Sequence, residues 1–190
     1  MWGPRLEGRI VVLRPVAESE ITTMLRWFAD PLVLRFLAAP FFATAPAAEK
    51  DWWTQSGADR SSVLWGLEYE GRLVGTTGMR AIDWMSRNAA TGTAIGDRTA
   101  WRKGIATEAM QIRAEYAFRQ LGLHKLNSGY AEGNAGSAEA QRRAGYREVG
   151  RLRDDLFRDG RWHDMIVTEI LRDDWEAAHP PVAAARAEGE

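Results

Sequence analysis

An α+β fold, with a single mixed, mostly antiparallel sheet flanked by helices, is predicted by three features of the chain. Runs of period 2 and runs of period 3.6 follow one another in the order β, α, α, β, β, β, α, β, α, β, β. Three consecutive strand-like runs lie within 63–95 and are separated only by short turns, which makes them antiparallel neighbours. The final two strand-like runs flank Asp159-Gly160, a pair suited to a two-residue hairpin turn.

The elements read in order as follows. Arg9 to Val16, around Ile10-Val11-Val12-Leu13, predicts the first strand, with Pro15 suiting its end. Ser19 opens a helix carrying Ile21, Met24, Leu25 and Phe28 on one face. It stops at Asp30-Pro31, because a residue before proline avoids the helical region. Pro31 starts a short helix with Leu34, Phe36 and Leu37, and Ala47 to Ser56 predicts another with Trp52-Trp53. Val63–Glu70 and Arg72–Trp84 are strands joined at Glu70-Gly71, and Ser86-Arg87-Asn88 turns the chain into Thr91–Ile95. From Gly104 a helix carries Ile105, Ala109, Ile112 and Tyr116 as one apolar stripe and ends at Gly122. Leu126–Ala131 is a strand, Ser137–Arg143 a short helix closed by Gly145, and Tyr146–Leu152 with Trp162–Leu171 the last hairpin. Residues 1–176 are expected to form one domain, and 177–190, rich in Ala, Glu and Pro, a mobile tail.

Composition narrows the function. A net charge of -1 provides no field to favour nucleic acid or an anionic membrane. Without cysteine there are no disulfides, no thiolate metal sites and no cysteine nucleophile. No apolar run reaches about 18 residues and the start does not read as a signal peptide, so a cytoplasmic protein is expected. No metal is predicted. The Gly-x-x-x-x-Gly-Lys-Ser/Thr pattern of a phosphate-loop nucleotide hydrolase is lacking.

The stretch from Thr91 to Met110 carries the chemistry. A strand ends at Ile95, a polar turn follows, and a helix begins after Gly104. The first amides of a helix have no intrahelical acceptor, and the helix dipole adds positive character there, so phosphate is held readily. Gly104 allows close backbone approach, and Arg102 and Lys103 add charge.

Trp101-Arg102-Lys103-Gly104-Ile105-Ala106, followed by Thr107-Glu108-Ala109, resembles the pyrophosphate-binding loop of the GNAT superfamily of N-acetyltransferases. Trp101, where most members have Gln or Arg, matches the RimJ/RimL-like ribosomal-protein N-terminal acetyltransferase branch. Further matches are Trp27-Phe28-Ala29-Asp30-Pro31, Leu121-Gly122-Leu123-His124-Lys125, Asn134, Ser137, Gly145-Tyr146 and Asp159-Gly160-Arg161-Trp162-His163-Asp164. The resemblance implies that the strands Thr91–Ile95 and Leu126–Ala131 start paired and splay apart. Acetyl-CoA would then lay its pantetheine arm against Ala94 and Ile95, as an added strand. Trp101, Arg102, Lys103, Gly104, Ile105, Ala106 and Thr107 would hold the phosphates, with Asn134 and Ser137 near the sulfur. For the residues taken alone, the favoured reading of Asn134 is a helix cap or turn residue and of Ser137 a helix cap.

The acceptor is expected to be a primary amine on a peptide or small molecule, with a homodimer as one admissible assembly. Where many relatives carry a glutamate base, before Gly92, this chain has Thr91; where others carry a tyrosine acid it has Gln141. Asp83, Glu68, Glu132 and His163 are the replacements considered. At pH 7.4 an α-amine of pKa about 7.8 is roughly a quarter neutral, and a lysine roughly one part in a thousand. A chain without a strong base therefore suits a peptide N-terminus, then an aminoglycoside or polyamine. A CoA-binding module that has lost catalysis is the other reading. Phe36, Phe41, Phe42, Trp52 and Trp53, in the region that covers the acceptor in this superfamily, predict an apolar surface beside the amine, with at least three of them in the core.

Overall fold

A computed structural model describes residues 1–37 and 45–179. The strands are β1 (Leu6–Glu7), β2 (Val12–Arg14), β3 (Val63–Tyr69), β4 (Arg72–Asp83), β5 (Asn88–Ile95), β6 (Lys125–Ala131), β7 (Arg147–Arg158) and β8 (Arg161–Leu171). The helices are α1 (Ile21–Phe28), α2 (Pro31–Leu34), α3 (Pro46–Ala58), α4 (Ile105–Glu115), α5 (Ala135–Arg143) and α6 (Arg172–Ala178). All eight strands form one sheet in the order β1-β2-β3-β4-β5-β6-β8-β7. Its β5–β6 pair is parallel and the others are antiparallel.

Both predicted two-residue turns form as expected. Glu70 and Gly71 have φ of 50° and 74°, and Asp159 and Gly160 have 51° and 75°, the left-handed pair that matches strand twist. The first strand is different from its prediction. Arg9–Val16 is not one strand: the chain makes a small β1–β2 hairpin, and Arg9 and Ile10 belong to its turn. The cause is Glu108, in the first turn of α4. Its carboxylate accepts from the amides of Arg9, Ile10 and Val11, each at 2.9 Å, and draws that backbone out of the ladder.

The sheet is covered on both faces. Neighbouring residues of β4 show this: Val74 belongs to the cluster with Ile105, Ala109 and Phe118, and Leu73 to the one with Met24, Trp27 and Val33. Successive strand residues point to opposite faces, so α4 and α1 lie on opposite sides. The predicted α4 stripe holds, with Ile105 and Ala109 buried and Ile112 and Tyr116 packed against that core. Trp52 and Trp53 pack against the α1 cluster together with Trp2, and the Trp53 indole donates to the Val16 carbonyl at 2.8 Å. Both are half-buried against that cluster. Phe41 and Phe42 lie outside the described residues. Ala177 and Ala178, expected to open the tail, form the end of α6, and 180–190 lie outside the described residues.

Candidate active site

The turn before α4 has a backbone that leaves helix N-terminal amides unpaired, the geometry that suits an anion. Arg102 and Gly104 have φ of 61° and 81°, which turns the backbone twice in quick succession before the helix starts. The first helical bond at this end runs from the Glu108 amide to the Gly104 carbonyl, at 3.1 Å. The amides of Ile105, Ala106 and Thr107 therefore precede the helical ladder and face the turn. Arg102 and Lys103 are exposed beside them, and the Lys103 ammonium lies 5.0 Å from the centre of the Tyr69 ring. Glu108 fastens this turn to the β1–β2 hairpin. Burial by itself would raise the Glu108 pKa, but the amides of Ile10, Arg9 and Val11 outweigh it and hold the carboxyl below its ordinary value.

Above the turn the sheet opens. β5 and β6 pair only at Asn88–Lys125, Ala89–Leu126 and Ala90–Asn127. Beyond that β5 continues against β4 as far as Ile95, and β6 against β8 as far as Ala131, with no pairing between them. This leaves a notch, which Thr91 closes at its apex by donating to the Asn127 carbonyl at 2.9 Å. Past it, a side chain built on Gly92 would meet nothing within 4 Å. An extended amide-bearing arm fits such a notch as an added strand. The expectation of free backbone is corrected at Ile95: its carbonyl accepts the Trp101 indole N–H at 2.8 Å. Trp101 thus ties the phosphate turn to the end of β5.

On the β6 side stand Asn134, Ser137 and Gln141. Asn134 caps α5, its side chain accepting from the Ser137 amide at 3.1 Å. Buried Gln141 donates to the Gly129 carbonyl and to the Ser137 hydroxyl, both at 3.1 Å, and accepts from Thr168. Among the described residues the Ser137 hydroxyl therefore receives one bond and has its own proton free. A hydroxyl that donates to the sulfur as it leaves acts mainly in the transition state. Ser137→Ala is expected to lower kcat roughly tenfold while the Kd for CoA stays within about twofold. Unchanged kcat would reduce Ser137 to a helix residue.

None of the base candidates stands at the notch. Asp83 caps the β4–β5 turn by accepting from the Ser86 and Met85 amides, which hold its carboxyl below the ordinary value. Glu68 is paired with Arg14, and Glu132 with Arg151 at 3.0 Å. His163 lies beyond the last β6–β8 pair, Ala131–Met165, with its Nε2 buried and without a partner.

On the α1 face, beside the end of β5, lies a cavity of about 610 Å³ lined by Glu20, Trp27, Asp30, Arg72, Gly96 and Asp97, among others. Trp27 packs directly on Gly96: a Cβ there would come within 2.1 Å of the ring. The acids of this cavity are matched. Glu20 meets Arg14 at 2.7 Å, Asp30 meets Arg98 at 3.4 Å, and Asp97 meets Arg72. The Arg14 hydrogen bond, foremost, holds the Glu20 carboxyl below its ordinary value.

Sequence reasoning missed Arg113, the link that Tyr146 makes between it and Thr91, and the Glu108 clamp. Arg113 sits on α4 at 1% exposure, and its guanidinium reaches Thr77, Gly92, Thr93 and Tyr146 behind the notch. Its signal was legible: it follows Ile105 and Ala109 at spacing 4, a basic residue on an apolar face.

A sheet that stops pairing at its centre, directly above a glycine turn at a helix N-terminus, is the arrangement that the sequence resemblance implies. Residues 11–147 match the family model of the acetyltransferase (GNAT) domain. The chain is 32% identical over 143 residues to YdaF of Bacillus subtilis (strain 168), provisionally a ribosomal N-acetyltransferase, covering 72% of this chain and 78% of that one. It is 31% identical over 85 residues to the ribosomal protein uS5-alanine N-acetyltransferase of Escherichia coli (strain K12), covering 44% of this chain and 43% of that one. Among solved structures, RimL, a ribosomal L7/L12 alpha-N-protein acetyltransferase in complex with coenzyme A, superposes with a TM-score of 0.80 at 16% identity, covering 90% and 99% of the two chains. Spermidine N-acetyltransferase from Vibrio cholerae, in complex with CoA and spermine, gives 0.81 at 18% identity, covering 88% and 99%. The chain belongs to the GNAT acetyltransferase family. It is an acetyl-CoA-dependent N-acetyltransferase, with acetyl-CoA as cosubstrate. Among the described residues no helix is long and apolar enough to cross a membrane, and no group of metal-ligating side chains forms.

Proposed function

We propose that this enzyme acetylates the α-amine of a peptide N-terminus, with polyamines and internal lysines as poor acceptors. The observation that carries this is the matching of every acid lining the α1-face cavity by an arginine. A polycation would have to displace those arginines, whereas an N-terminal amine brings one charge and loses it easily near neutral pH. The notch supports the same acceptor, since Thr91 is no base and its hydroxyl is engaged by Asn127. Two of the relatives are named for ribosomal proteins and three of the similar folds for spermidine, which frames the choice.

In this reading Arg102, Lys103, Gly104 and the amides of Ile105–Thr107 hold the pyrophosphate. Ala94 and Ile95 flank the pantetheine arm, Asn134 shapes the start of α5 beside it, and the Ser137 hydroxyl faces the sulfur. The neutral amine attacks the thioester carbonyl directly, and water takes its proton.

Rates on short peptides with free N-termini, N-blocked lysine peptides, aminoglycosides and spermidine test this. The free N-termini are expected to give the highest kcat/KM, by roughly a hundredfold over lysine on neutral fraction alone. A kcat/KM highest for spermidine by tenfold or more would overturn the proposal.

A further inference from the structure

Arg113 presents an unusual state of charge. A guanidinium stays protonated at any pH the fold survives, and an isolated ion in the interior is costly unless it is paired. Arg113 is 1% exposed, yet none of the ion pairs among the described residues includes it. Its acceptors are neutral: Thr77 Oγ1 at 2.7 Å, the Gly92 carbonyl at 2.8 Å, Thr93 Oγ1 at 3.0 Å and the Tyr146 hydroxyl at 3.0 Å. Its Nε is buried with no partner at all. A core position that only needed filling would take a Leu or Met more cheaply.

Its place gives the charge a purpose. Gly92 and Thr93 are the β5 residues just past the end of the β5–β6 pairing. Tyr146 links Arg113 to the apex, its hydroxyl lying 3.2 Å from Thr91 Oγ1, which in turn donates to Asn127 of β6. Across the notch, Gln141 and Ser137 hold the facing side at Gly129. The uncompensated cation therefore stands directly behind the backbone that walls the notch apex.

We infer that Arg113 is a positioning residue whose unmatched charge stabilises the CoA thiolate as acetyl transfer proceeds, acting through the Gly92 peptide and the Tyr146–Thr91 hydroxyls. The inference rests on the reading that the thioester lies at the notch apex. As the amine nitrogen bonds to the carbonyl carbon and the C–S bond breaks, the electron pair passes to sulfur and the amine proton leaves to water. Negative charge then appears where the ground state has none. A preoriented cation in a dry wall favours that state without reorganising. It contributes little to holding acetyl-CoA, so its loss falls on kcat rather than on KM.

The test uses the full chain, with Arg113→Met and Arg113→Lys, and two readouts: steady-state kinetics, and the ionisation of the thiol of bound CoA, followed by thiolate absorbance against pH. In the unmodified protein the bound thiol is expected to ionise about one unit below free CoA. Arg113→Met is expected to lower kcat at least about tenfold, with KM for acetyl-CoA within about threefold, and to return the thiol to the free value. Arg113→Lys, which keeps the charge, should recover part of both. Unchanged kcat and thiol ionisation in a folded Met variant would overturn the proposal. Should that variant fail to fold, the unmodified protein still decides: a bound thiol that ionises no lower than free CoA overturns it. Absence of CoA binding altogether would instead sink the placement of the thioester.

Discussion

Gly104→Asp is expected to abolish CoA binding while leaving the protein folded. The space is there: a Cβ at Gly104 would come no closer than 3.7 Å, to Ile10 Cδ1. The φ of 81° is left-handed, which costs a non-glycine residue about 1 kcal/mol, less for Asp than for most. The added carboxylate would sit among the amides of Ile105–Thr107, where the proposed function puts the pyrophosphate. Two like charges about 4 Å apart near a protein surface repel by about 4 kcal/mol, roughly a thousandfold in Kd. Thermal melts with and without ligand provide the measurement. CoA at about 100 times its Kd should stabilise the unmodified protein by about 2.7 kcal/mol, or about 5–11 °C in Tm. The variant should show no shift. A folded variant that binds with unchanged affinity would place the phosphates elsewhere.

Glu108→Ala should give a large loss of stability. One carboxylate serves the amides of Arg9, Ile10 and Val11, and the last of these belongs to a residue only 1% exposed. Removing it leaves buried donors without acceptors, at about 1–3 kcal/mol each where fully buried, and removes a favourable charge from the first turn of α4. We expect a loss of about 3 kcal/mol, or about 6–12 °C in Tm, measured by urea and thermal unfolding. The pH dependence has a definite sign. The Glu108 carboxyl titrates below the ordinary glutamate value of about 4.3 in the folded state. Its contribution is therefore complete above that value and is lost as pH falls through the depressed one. The variant should accordingly lose less of its stability between about pH 5 and pH 3 than the unmodified protein does. A loss under about 1 kcal/mol at neutral pH would mean that water replaces the carboxylate.

What the sequence made legible was local. Glu70-Gly71 and Asp159-Gly160 dictate their turns through backbone preference alone, and the spacing of Ile105, Ala109, Ile112 and Tyr116 dictates α4 and its buried face. The turn before α4 was legible for the same reason, since its glycine and the helix start are adjacent in the chain. What escaped was decided at a distance. Arg9–Val16 has a strand's composition, but a carboxylate 97 positions away takes its amides. Trp52 and Trp53 are placed by Trp2 and Val16, from the segment that precedes and carries the first strands. The engagement of the Ile95 carbonyl depends on which way the Trp101 indole folds back. Arg113 carried a signal in its spacing from Ile105 and Ala109, but a lone arginine in an amphipathic helix ordinarily faces water, so it was passed over.

The brevity of the β5–β6 contact has a mechanical meaning. The sheet is two leaves, β1–β5 and β6–β8–β7, stitched along a seam of three residue pairs with α4 lying behind. β3–β5 and β6–β8–β7 are each closely laddered, whereas the seam between them has only three pairs. A substrate arm laid into the open part of that seam bonds to the protein as a strand would and lengthens the stitching. In the proposed reading the cosubstrate is thus a removable structural part, and the enzyme is most nearly a continuous sheet while loaded.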